Sequence, residues 1–78
     1  MSKRDKLLQK LRQSPNNVTF DQVRKLLEYE GFQLERITGS HHVFRKGEII
    51  FVLPVHHNRV KTVYVKRIIE IIEEYEQS

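Results

Sequence analysis

Two adjacent histidines, His41 and His42, follow a Gly-Ser pair and precede an apolar stretch, in the run Gly39–Arg45. Histidine is the side chain whose ordinary charge change falls closest to neutral pH, so it can accept and return a proton. The run is typical of a β-strand, in which neighbouring residues point to opposite faces. Phe44 requires burial, so we expect His42 on the core face with it and His41 on the exposed face.

The exposed face predicted for this strand carries a cation as well as an imidazole. Arg45 shares the face of His41, because an even number of positions separates them. An imidazole can take the proton of an RNA 2′-hydroxyl while a nearby cation stabilises charge on the phosphate. RNA carries its own nucleophile, so this pattern favours general acid–base cleavage of RNA. The alternative interpretation is a surface histidine without a role.

Other reaction types have weaker support. Ser40 adjoins His41, but neighbours on an extended chain point apart and no acid orients the imidazole for nucleophilic catalysis. The pairs His41-His42 and His56-His57 suggest a metal site, yet the chain has no cysteine and neither pair has a flanking carboxylate. We therefore expect no metal and no other cofactor. If the His56-His57 segment folds beside His41, we expect it to contact phosphate or to act as a second proton carrier.

Length and charge limit the class of protein. The 78 residues are enough for one domain, which we place at 1–78. The net charge is +4, from 14 basic and 10 acidic residues. The excess lies in the first twelve residues and in the centre, whereas the end of the chain is acidic. A basic centre favours a polyanionic partner there, although solubility alone would also explain the charge.

No apolar run approaches the roughly 20 residues of a membrane span, and the basic N-terminus is not followed by the apolar segment of a secretory signal. We therefore expect a cytoplasmic protein without a membrane partner.

Two helices are expected before the strands. Leu7, Leu8 and Leu11 indicate a short helix that ends in the turn-forming residues 14–17. Thr19–Gln22 matches a capping box, which predicts a helix from about residue 20 to residue 30. Gly31 then suits the left-handed position that commonly ends a helix.

Three strands should follow. Phe32–Glu35 alternates cleanly, and Ile37 breaks the alternation, so we expect a bulge or a strand end near Arg36. Lys46-Gly47 is a plausible tight turn after the second strand. Ile49–Val55 is almost entirely apolar, which predicts a strand buried on both faces, and Pro54 places the end of this strand at an edge or at its exit from the sheet.

A last helix should run from about Thr62 to Tyr75, with two adjacent apolar stripes, Val65-Ile68-Ile69-Ile72 and Tyr64-Ile71-Tyr75. A domain of this size should bury the first stripe. The second could form a homodimer or bind another protein, or the leucines of the first helix could cover it. These elements predict an α+β fold, a two-layer sandwich with a three-stranded antiparallel sheet and helices on one face. Within it, 18–78 is the core and 1–17 an N-terminal helical extension.

From Thr19 to about Ile72 the chain resembles the HicA family of mRNA-interferase toxins, also called YcfA-like. The resemblance is carried by Glu30-Gly31-Phe32, by Gly39–Phe44, by the strand end Leu53–His56 and by Val60–Ile68. It implies a double-stranded-RNA-binding-like fold, metal-independent ribonuclease activity on mRNA and a tight complex with a HicB-type antitoxin. In the family the first histidine after Gly-Ser is catalytic, which is His41 here. Residues 1–17 add a basic segment that shorter members lack.

The main hypothesis is therefore a toxin-type ribonuclease with His41 as general acid and base. The candidate RNA-contacting residues are Gly39, Ser40, Arg45, Lys46, His56, His57, Arg59 and Lys61. The alternative is a non-catalytic RNA- or DNA-binding module on the same fold, and a third hypothesis is a protein-interaction domain that works through the last helix.

Overall fold

The computed structural model describes residues 2–77, with side chains as far as Glu74. It contains, in chain order, α1 (Lys3–Gln13), α2 (Phe20–Tyr29), β1 (Gln33–Thr38), β2 (His41–Lys46), β3 (Ile49–Pro54) and α3 (Thr62–Gln77). The strands form one antiparallel sheet in the order β1-β2-β3. The predicted α+β class and the N-terminal helix are confirmed, whereas the likeness to a double-stranded-RNA-binding fold stays a prediction.

Both ends of α2 follow the sequence signals. The Thr19 N–H donates to Gln22 Oε1 at 3.0 Å, and the Gln22 N–H donates back to Thr19 Oγ1 at 3.4 Å, which completes the capping box. At the other end Gly31 has a φ of +95°, and the Phe32 N–H donates to the Leu27 carbonyl at 2.9 Å. This is the bonding of a Schellman cap, which fixes the direction in which the chain enters β1.

Glycines occupy the same position in both hairpin turns. Gly39 (φ +59°) and Gly47 (φ +60°) are each the first residue of a two-residue loop. Positive φ at this position is what the turns of tight hairpins require, and glycine adopts it without a steric penalty. The second turn is Gly47-Glu48 and not the predicted Lys46-Gly47, because Lys46 still pairs with Ile49.

The hydrophobic core lies between the helices and one face of the sheet. All three helices contribute to it, and the sheet contributes Phe44 and Leu53, which are both fully buried. The buried core cluster comprises Leu8, Leu11, Val18, Val23, Leu26, Leu27, Phe32, Phe44, Leu53, Val60, Val65, Ile68 and Ile72. Leu8 and Leu11 belong to α1, so the N-terminal extension is part of the same core as the rest of the chain.

The prediction that the third strand is buried on both faces is wrong. Ile50 is 53% exposed and Val52 is 45% exposed. The physical reason is that β3 lies at an edge of a sheet covered by helices on one face only. Its apolar composition therefore does not indicate a central strand.

Ion pairs connect α1 to the end of α2 and to α3. Arg4 Nε lies 2.5 Å from Glu30 Oε1 at the end of α2, and Arg12 Nη2 lies 3.0 Å from Glu73 Oε1 on α3. Arg4 also donates to the Asp5 carboxylate, and this hydrogen bond, with a smaller contribution from Ser2, holds the pKa of Asp5 below its usual range.

The two stripes predicted for the last helix differ in burial. Val65, Ile68 and Ile72 of the first stripe are fully buried, whereas Ile69, which was expected to be buried with them, is half-buried. Tyr64 and Ile71 of the second stripe are half-buried and pack against the same core, while the side chain of Tyr75 lies outside the described residues. A homodimer through this stripe stays a prediction.

Candidate functional site

His41 begins β2 directly after the Gly39-Ser40 turn, and its side chain is exposed. It pairs with Thr38 on β1 and with Pro54 on β3. Residues paired across a sheet share a face, and the register places His41 on the face opposite to the buried Phe44. The predicted exposed imidazole on the helix-free side is confirmed.

His42 occupies the opposite side of the same strand. Its ring lies 4.5 Å from the Phe20 ring, centroid to centroid, and its Nδ1 lies 3.1 Å from the Ser40 carbonyl oxygen. The side chain is half-buried against α2. Both contacts fix the ring toward the helices, as predicted, so this imidazole holds the strand against α2 and does not face the open surface.

Arg45 shares the open face of His41, but it already has a partner. Its Nε lies 2.8 Å from Glu35 Oε2, and its Nη1 lies 3.4 Å from the Gly47 carbonyl oxygen. Along β2, His41 and Arg45 are four residues apart, which is a distance of about 13 Å. A phosphate in contact with His41 is therefore too far from Arg45 for direct contact unless the Arg45 side chain leaves Glu35.

Arg36 is a cation near His41 that the sequence reasoning did not select. The register shift between Leu34 and Arg36 places Arg36 opposite Val43, which lies two positions from His41 on the open face. Diagonal neighbours in a sheet are roughly 7–8 Å apart, within reach of a long side chain. Arg36 is exposed and has no ion pair among the described residues. The irregularity predicted near Arg36 is the sequence signal for this placement, but the face of Arg36 depends on the exact residue at which the register shifts.

The segment His56–Arg59 forms a tight turn. The His56 N–H donates to the Arg59 carbonyl at 3.2 Å, and the Arg59 N–H donates to the His56 carbonyl at 2.9 Å. The central residues are left-handed, with φ of +52° at His57 and +60° at Asn58. Asparagine and histidine are among the non-glycine residues that adopt this conformation more often than others.

Main-chain bonds hold this turn at the end of the sheet where His41 lies. The Val55 N–H donates to the Ser40 carbonyl at 2.8 Å, immediately before the turn. The Asn58 carbonyl accepts from the Phe20 N–H at 3.0 Å, and Arg59 donates to the Asn17 side chain. His56, His57 and Arg59 are all exposed. The structure thus brings this loop, Gly39-Ser40 and His41 to the same end of the molecule.

The two candidate lysines have different positions. Lys46 ends β2 on the face of His42 and Phe44, and its Nζ lies 6.0 Å from the centre of the Phe32 ring. It therefore does not share the surface of His41. Lys61 is exposed just before α3, and its carbonyl accepts from the Val65 N–H at 3.2 Å.

Among the residues that the structure describes, no group of three or more His, Cys, Asp or Glu side chains is placed to hold a metal ion. Within the same range, no helix has the length and apolar character needed to cross a membrane.

Comparison with known proteins gives one family. Residues 20–73 match the model described as the HicA toxin of bacterial toxin–antitoxin systems. We found no match among curated proteins and none among solved structures. The match covers more than half of the chain, spans β1, β2, β3 and the turn at His56, and begins after α1.

Proposed function

Because the chain belongs to the HicA family of bacterial toxin–antitoxin toxins, we propose that it is a toxin-type ribonuclease that cleaves mRNA. The observation that carries the proposal is the exposed imidazole of His41, on the helix-free face of the sheet and next to the Gly39-Ser40 turn. A cytoplasmic location is part of the proposal, since mRNA is the substrate.

In this reaction His41 acts first as a general base. Its neutral imidazole accepts the proton of a 2′-hydroxyl, and the 2′-oxygen forms a bond to the adjacent phosphorus. The bond from phosphorus to the 5′-oxygen breaks, and that oxygen takes up a proton from the imidazolium or from water. The products are a 2′,3′-cyclic phosphate and a 5′-hydroxyl end. General acid–base catalysis of this kind supplies about 10²–10⁴-fold in rate.

Arg36 is the cation best placed to stabilise the phosphate during this step. It is exposed, it lies on the same face as His41, and no acidic partner competes for it among the described residues. Arg59 and the exposed His56 and His57 extend the polar surface at this end of the sheet. A guanidinium suits phosphate because its planar donors can bind two oxygens at once.

The adjacent histidines provide the test and its matched control. Induced expression of the unaltered chain should arrest growth and deplete mRNA. His41→Ala should abolish both effects with an unchanged circular dichroism spectrum, whereas soluble His42→Ala protein should retain cleavage with a lower melting temperature. Equal toxicity of His41→Ala and the unaltered chain would refute the catalytic assignment. Binding of RNA without cleavage by the unaltered chain would instead support the non-catalytic alternative.

We further propose that cleavage needs no metal. The chemistry above uses an imidazole, the 2′-hydroxyl of the substrate and guanidinium groups of the chain. Cleavage of RNA should therefore continue in EDTA at an unchanged rate. Loss of activity on chelation that added zinc or manganese restores would contradict this.

We also propose that a HicB-type antitoxin neutralises the chain. Because the family belongs to toxin–antitoxin systems, we expect an antitoxin partner. An antitoxin that covered His41 would block access of RNA to this side chain directly. Co-expression with the product of an adjacent HicB-like reading frame should restore growth and yield a stable complex. Toxicity that persists despite co-expression would exclude that protein as the antitoxin.

A further inference from the structure

The two edges of the sheet differ in their protection against pairing with another strand. β1 carries Glu35 and Arg36 and has a register shift next to them. Charged residues and bulges are the devices by which edge strands avoid such pairing. β3 has no charged residue and pairs with β2 without a register shift. Its only protective residue is Pro54, at its very end.

The main-chain groups on the open edge of β3 can be identified. The Val55 N–H points toward β2, because it donates to the Ser40 carbonyl at 2.8 Å. Main-chain groups alternate between the two sides of an antiparallel strand. Phe51 and Leu53 therefore bond to β2, whereas the N–H and C=O groups of Ile50 and Val52 face away from the sheet.

The side chains of these outward-bonding residues are also exposed. Ile50 is 53% exposed and Val52 is 45% exposed, and both lie on the helix-free face. An unpaired edge next to exposed apolar side chains is complementary to an apolar strand from another chain. Such a strand would satisfy the main-chain groups and cover the side chains at once.

We propose that this edge pairs antiparallel with the β3 edge of a second copy of the chain, which gives a dimer with one continuous sheet. A twofold axis at Phe51 sets Ile50 of each copy opposite Val52 of the other. Because β3 is uncharged, self-pairing brings no like charges together. Because β1 is protected, association stops at two copies.

The dimer has a geometric consequence for the open face. An axis perpendicular to the sheet keeps both copies of His41 on the same face. Strand spacing and rise per residue place them roughly 25 Å apart. The pairing does not depend on the proposed ribonuclease activity, and it can be tested without it.

The first experiment uses the full chain carrying His41→Ala, so that toxicity does not limit expression. Sedimentation over a concentration series should show a monomer–dimer equilibrium. Adding Val52→Lys, which places a charge at the edge, should raise the dissociation constant about tenfold or more. The matched control is Ile37→Lys, the same change at a 55% exposed residue of β1, and it should leave dimerisation unchanged.

Hydrogen exchange of individual amides gives a second readout that needs no substitution at the edge. In the dimer the amides of Ile50 and Val52 should become protected as concentration rises, whereas those of Phe51 and Leu53 should be protected throughout. A monomer at all concentrations would overturn the proposal, as would a dimer that Val52→Lys leaves intact. A monomer whose antitoxin binding is weakened by Val52→Lys would also overturn it, and would assign the edge to the antitoxin.

Discussion

The two faces of β2 carry neighbouring residues with different surroundings. On the inner face, His42 contacts the Phe20 ring and the Ser40 carbonyl, and Phe44 is completely buried. On the outer face, His41 and Arg45 are exposed. The strand alternation alone separates a histidine that stabilises the fold from one that is free for chemistry.

The largest expected effect is on catalysis, from the outer face. His41→Ala should lower the rate of RNA cleavage about 10²–10⁴-fold, because it removes the general base. The free energy of unfolding should change by less than about 0.5 kcal/mol, since the side chain is exposed. Single-turnover cleavage of a labelled RNA and urea denaturation measure the two quantities. A rate within threefold of the unaltered chain would place the catalytic group elsewhere.

Phe44 gives the largest expected effect on stability, from the inner face. Phe44→Ala should lower the free energy of unfolding by about 3–5 kcal/mol, because it leaves a cavity in the core. Urea denaturation followed by circular dichroism tests this. Ile37→Ala is the control, since that side chain is 55% exposed and its truncation should cost less than about 1 kcal/mol. Equal losses in the two variants would contradict the complete burial of Phe44 in the core.

His42→Ala should have an intermediate effect on stability. It removes the ring contact with Phe20 and the hydrogen bond to the Ser40 carbonyl, which together predict a loss of about 1–3 kcal/mol. Cleavage per folded molecule should be unchanged under conditions where the variant is fully folded. A rate loss as large as that of His41→Ala would show that both faces of the strand serve catalysis.

Much of this division could be predicted because it depends on local signals. The Thr19–Gln22 capping box, the left-handed Gly31 and the alternation around Phe44 each depend on a few consecutive residues, and the structure has all three. The burial of Leu8 and Leu11 with the main core depends on packing between distant segments, so the leucine spacing predicted a helix and offered packing on the last helix only as one alternative.

The wrong prediction for β3 and the missed placement of Arg36 have a common cause, because both depend on contacts between segments that are distant in the sequence. The apolar composition of β3 could not show that its second face is uncovered, since burial there depends on which segments cover the sheet. The facing of Arg36 depends on the exact residue at which β1 is irregular, because a shift of one position reverses every later side chain.

The smallest expected effects come from the two arginines of the outer face, and they distinguish a free cation from a paired one. Arg36→Ala should lower the cleavage rate about tenfold, the lower end of what a hydrogen bond to a charged group contributes. Arg45→Ala should lower it by less than about threefold, because the ion pair with Glu35 and the distance along β2 keep Arg45 from the same phosphate.

Both ends of the Arg45–Glu35 pair are more than two-fifths exposed, so losing the pair should cost less than about 1 kcal/mol of stability. Glu35→Gln is the informative companion variant, because it frees Arg45 without removing its charge. If RNA draws Arg45 away from Glu35, Glu35→Gln should tighten RNA binding and Arg45→Ala should weaken it as much as Arg36→Ala does. If Arg36 alone contacts the phosphate at His41, only Arg36→Ala should lower the cleavage rate. The larger effect of Arg36 than of Arg45 is then explained by the bulge in β1, which places Arg36 near His41.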